Sequence, residues 1–156
     1  LGEPLEGTHT GTNFGTPWME WEGTSDVSIK FASGAVGYHG ATWGARGTRM
    51  GYSFHAICTD GTLEFNQSAG KLYLHRDNDR HGGQSREPEL LDRADDTAKP
   101  TVLEMAHFLD CMASGRAPLT DGRHSLQSLR VIWALYEAER RRVIADLRGL
   151  GLGAVA

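Results

Sequence analysis

Cysteine is scarce in this 156-residue chain, which holds only Cys58 and Cys111. Both stand among apolar neighbours, the usual surroundings of buried free thiols, so no disulfide framework is expected and a reducing, cytoplasmic setting fits. Long hydrophobic runs are missing too. Nothing approaches the roughly 18 to 20 apolar residues of a membrane span, and the opening LGEPLEGTHTGTNFG lacks the basic and apolar blocks of a signal peptide. Positive charge is not in excess either. Sixteen Lys and Arg against 20 Asp and Glu give a formal charge of -4, with a pI near 6.0. That balance removes the electrostatic case for nucleic acid or an anionic membrane as partner.

Several reaction signatures are absent as well. The chain has no P-loop, G-x-S-x-G elbow, H-E-x-x-H or paired Cys/His spacing. Its GLGLG comes at the end with no helix to follow, and GATWGARG has neither the spacing nor the strand-then-helix context of a dinucleotide turn. No catalytic, cofactor-binding or metal-ligating residue is therefore assigned from motifs. The chain starts at Leu1 without a methionine, and Gly2, Gly7, Gly11, Gly15 and Gly23 crowd its beginning. It has the look of a piece of something longer.

What is present is alternation. The stretch 1–25, with PWMEWEG as its one apolar island, reads as a linker or edge segment. From Asp26 the period becomes two, with Val27, Ile29 and Phe31 on one face of a strand. AVGYHGATW follows as a glycine-weakened strand, then the loop GARGTRMG, then FHAICTDGTLEF, read as a hairpin turning at Asp60-Gly61. KLYLHR completes about five successive antiparallel strands, a meander. The charged section 77–99 is expected as a long exposed loop with one strand near Glu89 to Asp92.

Helical spacing then takes over. Thr101 and Glu104 form a T-x-x-E capping pattern ahead of Val102, Met105, Phe108, Leu109 and Met112, with Ser114-Gly115 as the stop. A second helix starts at Asp121 or Ser125, carries Leu126, Leu129, Ile132, Trp133 and Tyr136 along one face, and ends at ERRR, whose charge suits the helix dipole. VIADL adds a short edge strand. Strands first and helices afterwards predict an α+β fold, a predominantly antiparallel open sheet with two main helices packed on one face. The expected organisation is a linker or edge segment over 1–25, a domain over 26–147 and a frayed tail over 148–156.

Among polar candidates, Trp43, Arg46 and Arg49 stand at the end of a long strand, where guanidinium forks and an indole can hold a hydroxylated or carboxylated ligand. His107, three residues before Asp110, is a weaker candidate for the same patch. HRDNDRH, from His75 to His81, concentrates possible metal ligands, but loop composition alone produces such clusters.

The order of DVSIKFASGAVGYHGATW, FHAICTDGTLEF and EMAHFLDCMASGRAPLTDGRHSLQSLRVIWALYEAERRRVIADL resembles the carboxy-terminal part of the Gfo/Idh/MocA oxidoreductases. Thr59 to Leu63 match that family's G-T-x-G-x-L hairpin, with Cys58 where Gly is usual. Glu104, Phe108 and Gly115 match its helix, and Pro118 to Gly122 its Pro-x-x-x-Gly stretch. The resemblance spans about residues 25–147.

It implies a substrate-binding and oligomerisation domain of an NAD(P)-dependent dehydrogenase for a sugar, polyol or related compound. NAD or NADP would be held by an amino-terminal Rossmann domain not present here, and homo-oligomers would form through the open face of the sheet. The family's E-K-P lysine is absent. Its D-x-x-x-H motif fails too, because Leu5 stands four residues before His9, so His9 receives no role. This chain alone is expected to be inactive. The alternative is a stand-alone, non-catalytic binding or scaffolding domain; a metal enzyme using HRDNDRH has only composition in its favour.

Overall fold

A computed structural model describes residues 1–46, 52–66, 70–76, 87–94 and 100–150. Its elements are β1 (Pro4–Thr12), β2 (Thr24–Phe31), β3 (Val36–Thr42), β4 (Ser53–Cys58), β5 (Gly61–Asn66), β6 (Lys71–Arg76), β7 (Glu89–Arg93), α1 (Pro100–Ser114), α2 (Gly122–Arg141) and β8 (Ala145–Asp146). They divide between two compact units, one of Leu1–Arg46 with Arg116–Ala156 and the other of Gly47–Gly115.

The expected α+β composition is found, with two antiparallel four-stranded sheets in place of one meander. The split falls at the GARGTRMG loop. β3 pairs only with β2 and β4 only with β5, so each ends its sheet. α1 and α2 belong to different units.

In the first unit the strand order is β3-β2-β1-β8. The stretch 1–25, read from sequence as a linker or edge segment, contributes β1, which lies between β2 and β8. Alternation of apolar side chains did not betray this strand because its buried positions are Pro4, Gly7 and His9, with a register shift after Pro4. Gly7 is what lets α2 approach: a Cβ there would stand 2.9 Å from the Ser28 carbonyl oxygen and 3.0 Å from a Leu135 methyl.

The core of this unit gathers Val131, Leu135 and Ala138 of α2 with Ala145 and Leu147, and Val27 and Ile29 of β2 pack against it. Spacing of four and three residues puts Val131, Leu135 and Ala138 on one helical stripe. This is a different stripe from the expected one: Leu126, Leu129, Ile132, Trp133 and Tyr136 are all more than a third exposed. The sheet selects small or slender side chains where a helix crosses close to its backbone.

Asp121 caps α2, accepting from the His124 backbone N–H at 2.9 Å, and Arg142 closes it in a left-handed conformation behind Arg140 and Arg141. The expected edge strand in VIADL is β8.

The second unit contains the sheet β4-β5-β6-β7 and α1. The hairpin in FHAICTDGTLEF is present, one residue earlier than expected: Cys58 pairs with Gly61, so Thr59 and Asp60 make the turn. Gly61 has φ +149°, and a Cβ on it would lie 2.2 Å from the His75 carbonyl oxygen, which explains the glycine after the turn. The strand foreseen near Glu89 is β7.

α1 opens at Pro100, so Thr101 and Glu104 lie within the helix and Thr101 is not its cap. Proline suits the first helical position because the N–H it lacks would have no partner there. Gly115 ends the helix with φ +68°. Cys111 is buried as expected, while Cys58 is exposed. Strand alternation put Cys58 with Tyr52 and Phe54, and in the structure all three are exposed. Among the described residues no helix is long and apolar enough to cross a membrane.

Candidate functional site: an aromatic and carboxylate cleft

The β1–β2 connection, residues 13–23, is mostly exposed but anchored at Thr16 and Gly23, which are buried. Thr16 is fully buried, and its N–H and hydroxyl both donate to the Asn13 carbonyl. The Gly23 N–H donates to the Thr12 carbonyl, closing the loop. A Cβ at Gly23 would fall 2.0 Å from Thr16 Oγ1, so the closure depends on glycine there. This folded loop carries Glu20, Trp21 and Glu22 toward α2.

On α2 the stripe Trp133, Tyr136, Glu137 and Arg140 faces them, and the ends of the two elements enclose an open cleft of about 830 Å³. The floor is the end of β1, at Gly11 and Thr12. A volume of this size falls within the range of small-molecule sites.

A half-buried network fixes the floor. His9 Nδ1 lies 2.6 Å from Glu139 Oε2 and its Nε2 lies 2.8 Å from Ser25 Oγ. A carboxylate only accepts, so Nδ1 carries the proton of that bond. The Gly11 N–H donates to the other oxygen of Glu139, Oε1, at 2.8 Å. The edge of Tyr136 meets the His9 ring with centroids 4.7 Å apart. The Tyr136 hydroxyl in turn donates to Glu22 Oε1, tying the loop to the helix. That bond to a carboxylate, with burial and the negative charges of Glu22 and Glu139 adding to it, pushes the phenol up to about 12.

Ser25, His9 and Glu139 thus stand in the linear order of a hydrolase triad. Their placement argues against that use. Neither Ser25 nor His9 lines the cleft, and Ser25 lies within a strand paired on both sides, with Gly11 and Ala41. Nucleophilic serines of such enzymes stand on exposed turns. The three side chains instead tether α2 across the sheet.

The residues singled out from sequence lie elsewhere. Trp43 follows β3, donates its backbone N–H to the Gly23 carbonyl at 2.7 Å and has its side chain in solvent. Arg46 is exposed, and neither residue lines the cleft. Arg49 lies outside the described residues, as does HRDNDRH from Asp77 onward. His107 is on α1 in the other unit, half-buried, with Nε2 3.5 Å from Cys111 Sγ.

From sequence PWMEWEG shows only as an apolar island in a loop, and Trp133 and Tyr136 only as members of one helical face, so neither points to the cleft. The available signal was two indoles and two carboxylates between Trp18 and Glu22 in a segment without strand alternation. Among the described residues no three His, Cys, Asp or Glu side chains are grouped to hold a metal ion. Both sheets are antiparallel, so the described residues offer no strand-helix-strand unit fit for a dinucleotide.

No protein-family model matches the chain, and no curated protein matches it. Solved structures do match in fold. An aldose-aldose oxidoreductase from Caulobacter crescentus, complexed with glycerol, superposes with a TM-score of 0.72 at 19% identity, over 94% of this chain and 42% of its own. A levoglucosan dehydrogenase in complex with NADH and levoglucosan gives 0.72 at 19%, over 95% of this chain and 46% of its own. An oxidoreductase from Agrobacterium radiobacter, in complex with NAD+, L-tartaric acid and magnesium, gives 0.71 at 17%, over 94% and 44%. The chain spans less than half the length of each, and the α+β fold is the one anticipated for the carboxy-terminal part of Gfo/Idh/MocA enzymes.

Proposed function

We propose that this chain is the substrate-side and oligomerisation domain of an NAD(P)-dependent oxidoreductase acting on a sugar, polyol or related hydroxylated compound. The observation that carries the reading is the fold, shared over 94% of the chain with an aldose-aldose oxidoreductase and over 95% with a levoglucosan dehydrogenase. The described residues do not suit a dinucleotide, so the nicotinamide, which supplies hydride exchange, belongs to a Rossmann domain outside these residues.

The cleft supports the substrate side of the reading. Trp21, Trp133 and Tyr136 line it, aromatic side chains of the kind that stack on the apolar face of a sugar ring, and glutamates beside them accept hydrogen bonds from hydroxyls.

The test begins with the coding DNA upstream of Leu1, translated in frame. A Rossmann domain within roughly 200 residues, one domain plus a linker, is expected. Nicotinamide reduction by the full-length protein should then depend on an added aldose or polyol, and this chain alone should bind no NADH. A start codon close to Leu1 would sink the reading and leave a stand-alone binding domain.

A further inference from the structure

We infer that the cleft is selective for a hydroxylated ligand that carries a protonated amine, an amino sugar or amino polyol, over its neutral and anionic counterparts. The inference rests on the reading of the cleft as a site for hydroxylated compounds and adds the charge of what it holds.

The indole walls make the cleft a site, and its charge decides the class. Of the four carboxylates lining it, Glu137 is paired with the one guanidinium, Arg140. Glu139 has both oxygens engaged, by His9 and Gly11, and these partners bring no lysine or arginine to it. Glu22 spends one oxygen on a neutral phenol, and Glu20 stands exposed at the rim. The lining therefore keeps a negative excess that Arg140 does not balance. A phosphate or carboxylate entering it would meet like charge, whereas an ammonium would meet carboxylates beside Trp21 and Trp133, and tryptophan is the strongest cation–π partner among side chains.

The test is calorimetric titration of this chain with glucosamine, N-acetylglucosamine, glucose and glucuronate at about pH 6, where an amine is protonated and glutamates are ionised. Glucosamine should bind about tenfold more tightly than glucose, the combined size of a cation–π contact and a partly exposed ion pair. Glucose is the neutral counterpart of nearly the same shape; N-acetylglucosamine, whose amide nitrogen carries no charge, should fall to the level of glucose, and glucuronate should bind most weakly.

Glu20→Gln combined with Glu137→Gln removes two charges at nearly constant volume and should narrow the preference to about threefold, half the tenfold effect on a logarithmic scale. Trp133→Ala should weaken glucosamine and glucose together. Equal binding of glucosamine and glucose overturns the inference and leaves the sugar reading standing. Absence of binding by every one of these compounds overturns both. A full tenfold preference left unchanged by the double Gln variant also overturns the inference, because removing half of the lining carboxylates would then have had no effect on it.

Discussion

Tyr136 concentrates much of what the cleft does with single side chains. Its hydroxyl donates to Glu22 and its ring edge meets His9, and the phenol is pushed up to about 12 from an ordinary 10.0. A folded-state value raised above the unfolded one means that the neutral form is favoured by folding. The stabilisation is therefore fully present below about pH 10 and is lost as the pH rises from 10 through 12. Ultraviolet titration of phenolate should show a step near 12 that is missing in Tyr136→Phe, and Glu22→Gln should bring that step down toward 10. A high step unchanged in Tyr136→Phe would show that the bond to Glu22 is not its source.

Glu139 carries the complementary load on the buried side of the cleft. Glu139→Ala leaves the Gly11 N–H and the His9 ring without their acceptor. It should lower stability by about 2 kcal/mol in urea denaturation, the scale of stranding buried donors. None of this was legible from sequence. Histidine and glutamate 130 residues apart reveal their pairing only once β1 and α2 are placed.

Elements were more legible than side chains, and the reasons differ from one to the next. β2 shows itself through Val27, Ile29 and Phe31 because its buried face is apolar. β1 hides because glycine, proline and histidine fill the same role where a helix must come close. That close approach is testable: Gly7→Ala pushes a methyl against the Ser28 carbonyl and Leu135, and should cost about 1–3 kcal/mol, as overpacking of a tight site does. A neutral Gly7→Ala variant would mean that α2 does not sit this near the strand.

The start of α2 adds a pH-dependent contribution. The His124 backbone N–H, and after it the His124 ring, hold the Asp121 carboxyl below its usual range of 3.8. A lowered folded-state value gives stabilisation that is present above 3.8 and fades as the pH falls through the folded value. The thermal midpoint of Asp121→Ala should therefore converge on that of the parent chain in acid and lie below it at neutral pH. The helix start itself could be read from sequence, since Asp121 was one of two candidate caps. Its buried stripe could not, because hydrophobic size favours Leu129 and Trp133 while packing against β1 favours Leu135 and Ala138.

At the scale of the whole molecule the question is what covers the apolar surface. On α1, Val102, Leu103, Met105, Phe108, Leu109 and Met112 are each between 48% and 65% exposed. Trp18, Trp21 and Trp43 are more exposed still. Isolated apolar residues on a surface need no partner, but an entire helix of them marks a surface that is normally covered. The helical spacing of these residues was visible in the sequence. Their exposure was not, because periodicity shows that a face is apolar without showing what lies against it.

Self-association is one way to cover them, and a second copy of the chain is the first occupant to test. Light scattering at tens of micromolar, about the concentration at which a modest interface is populated, should give a mass near twice 17.0 kDa or above. Phe108→Glu places a charge in the middle of the α1 surface and should return the mass to that of one chain, with circular dichroism unchanged because the residue is already half exposed. A single-chain mass for the parent would instead mean that the α1 surface is covered by a different partner. An oligomer that survives Phe108→Glu would place the contact away from α1, on one of the two sheets.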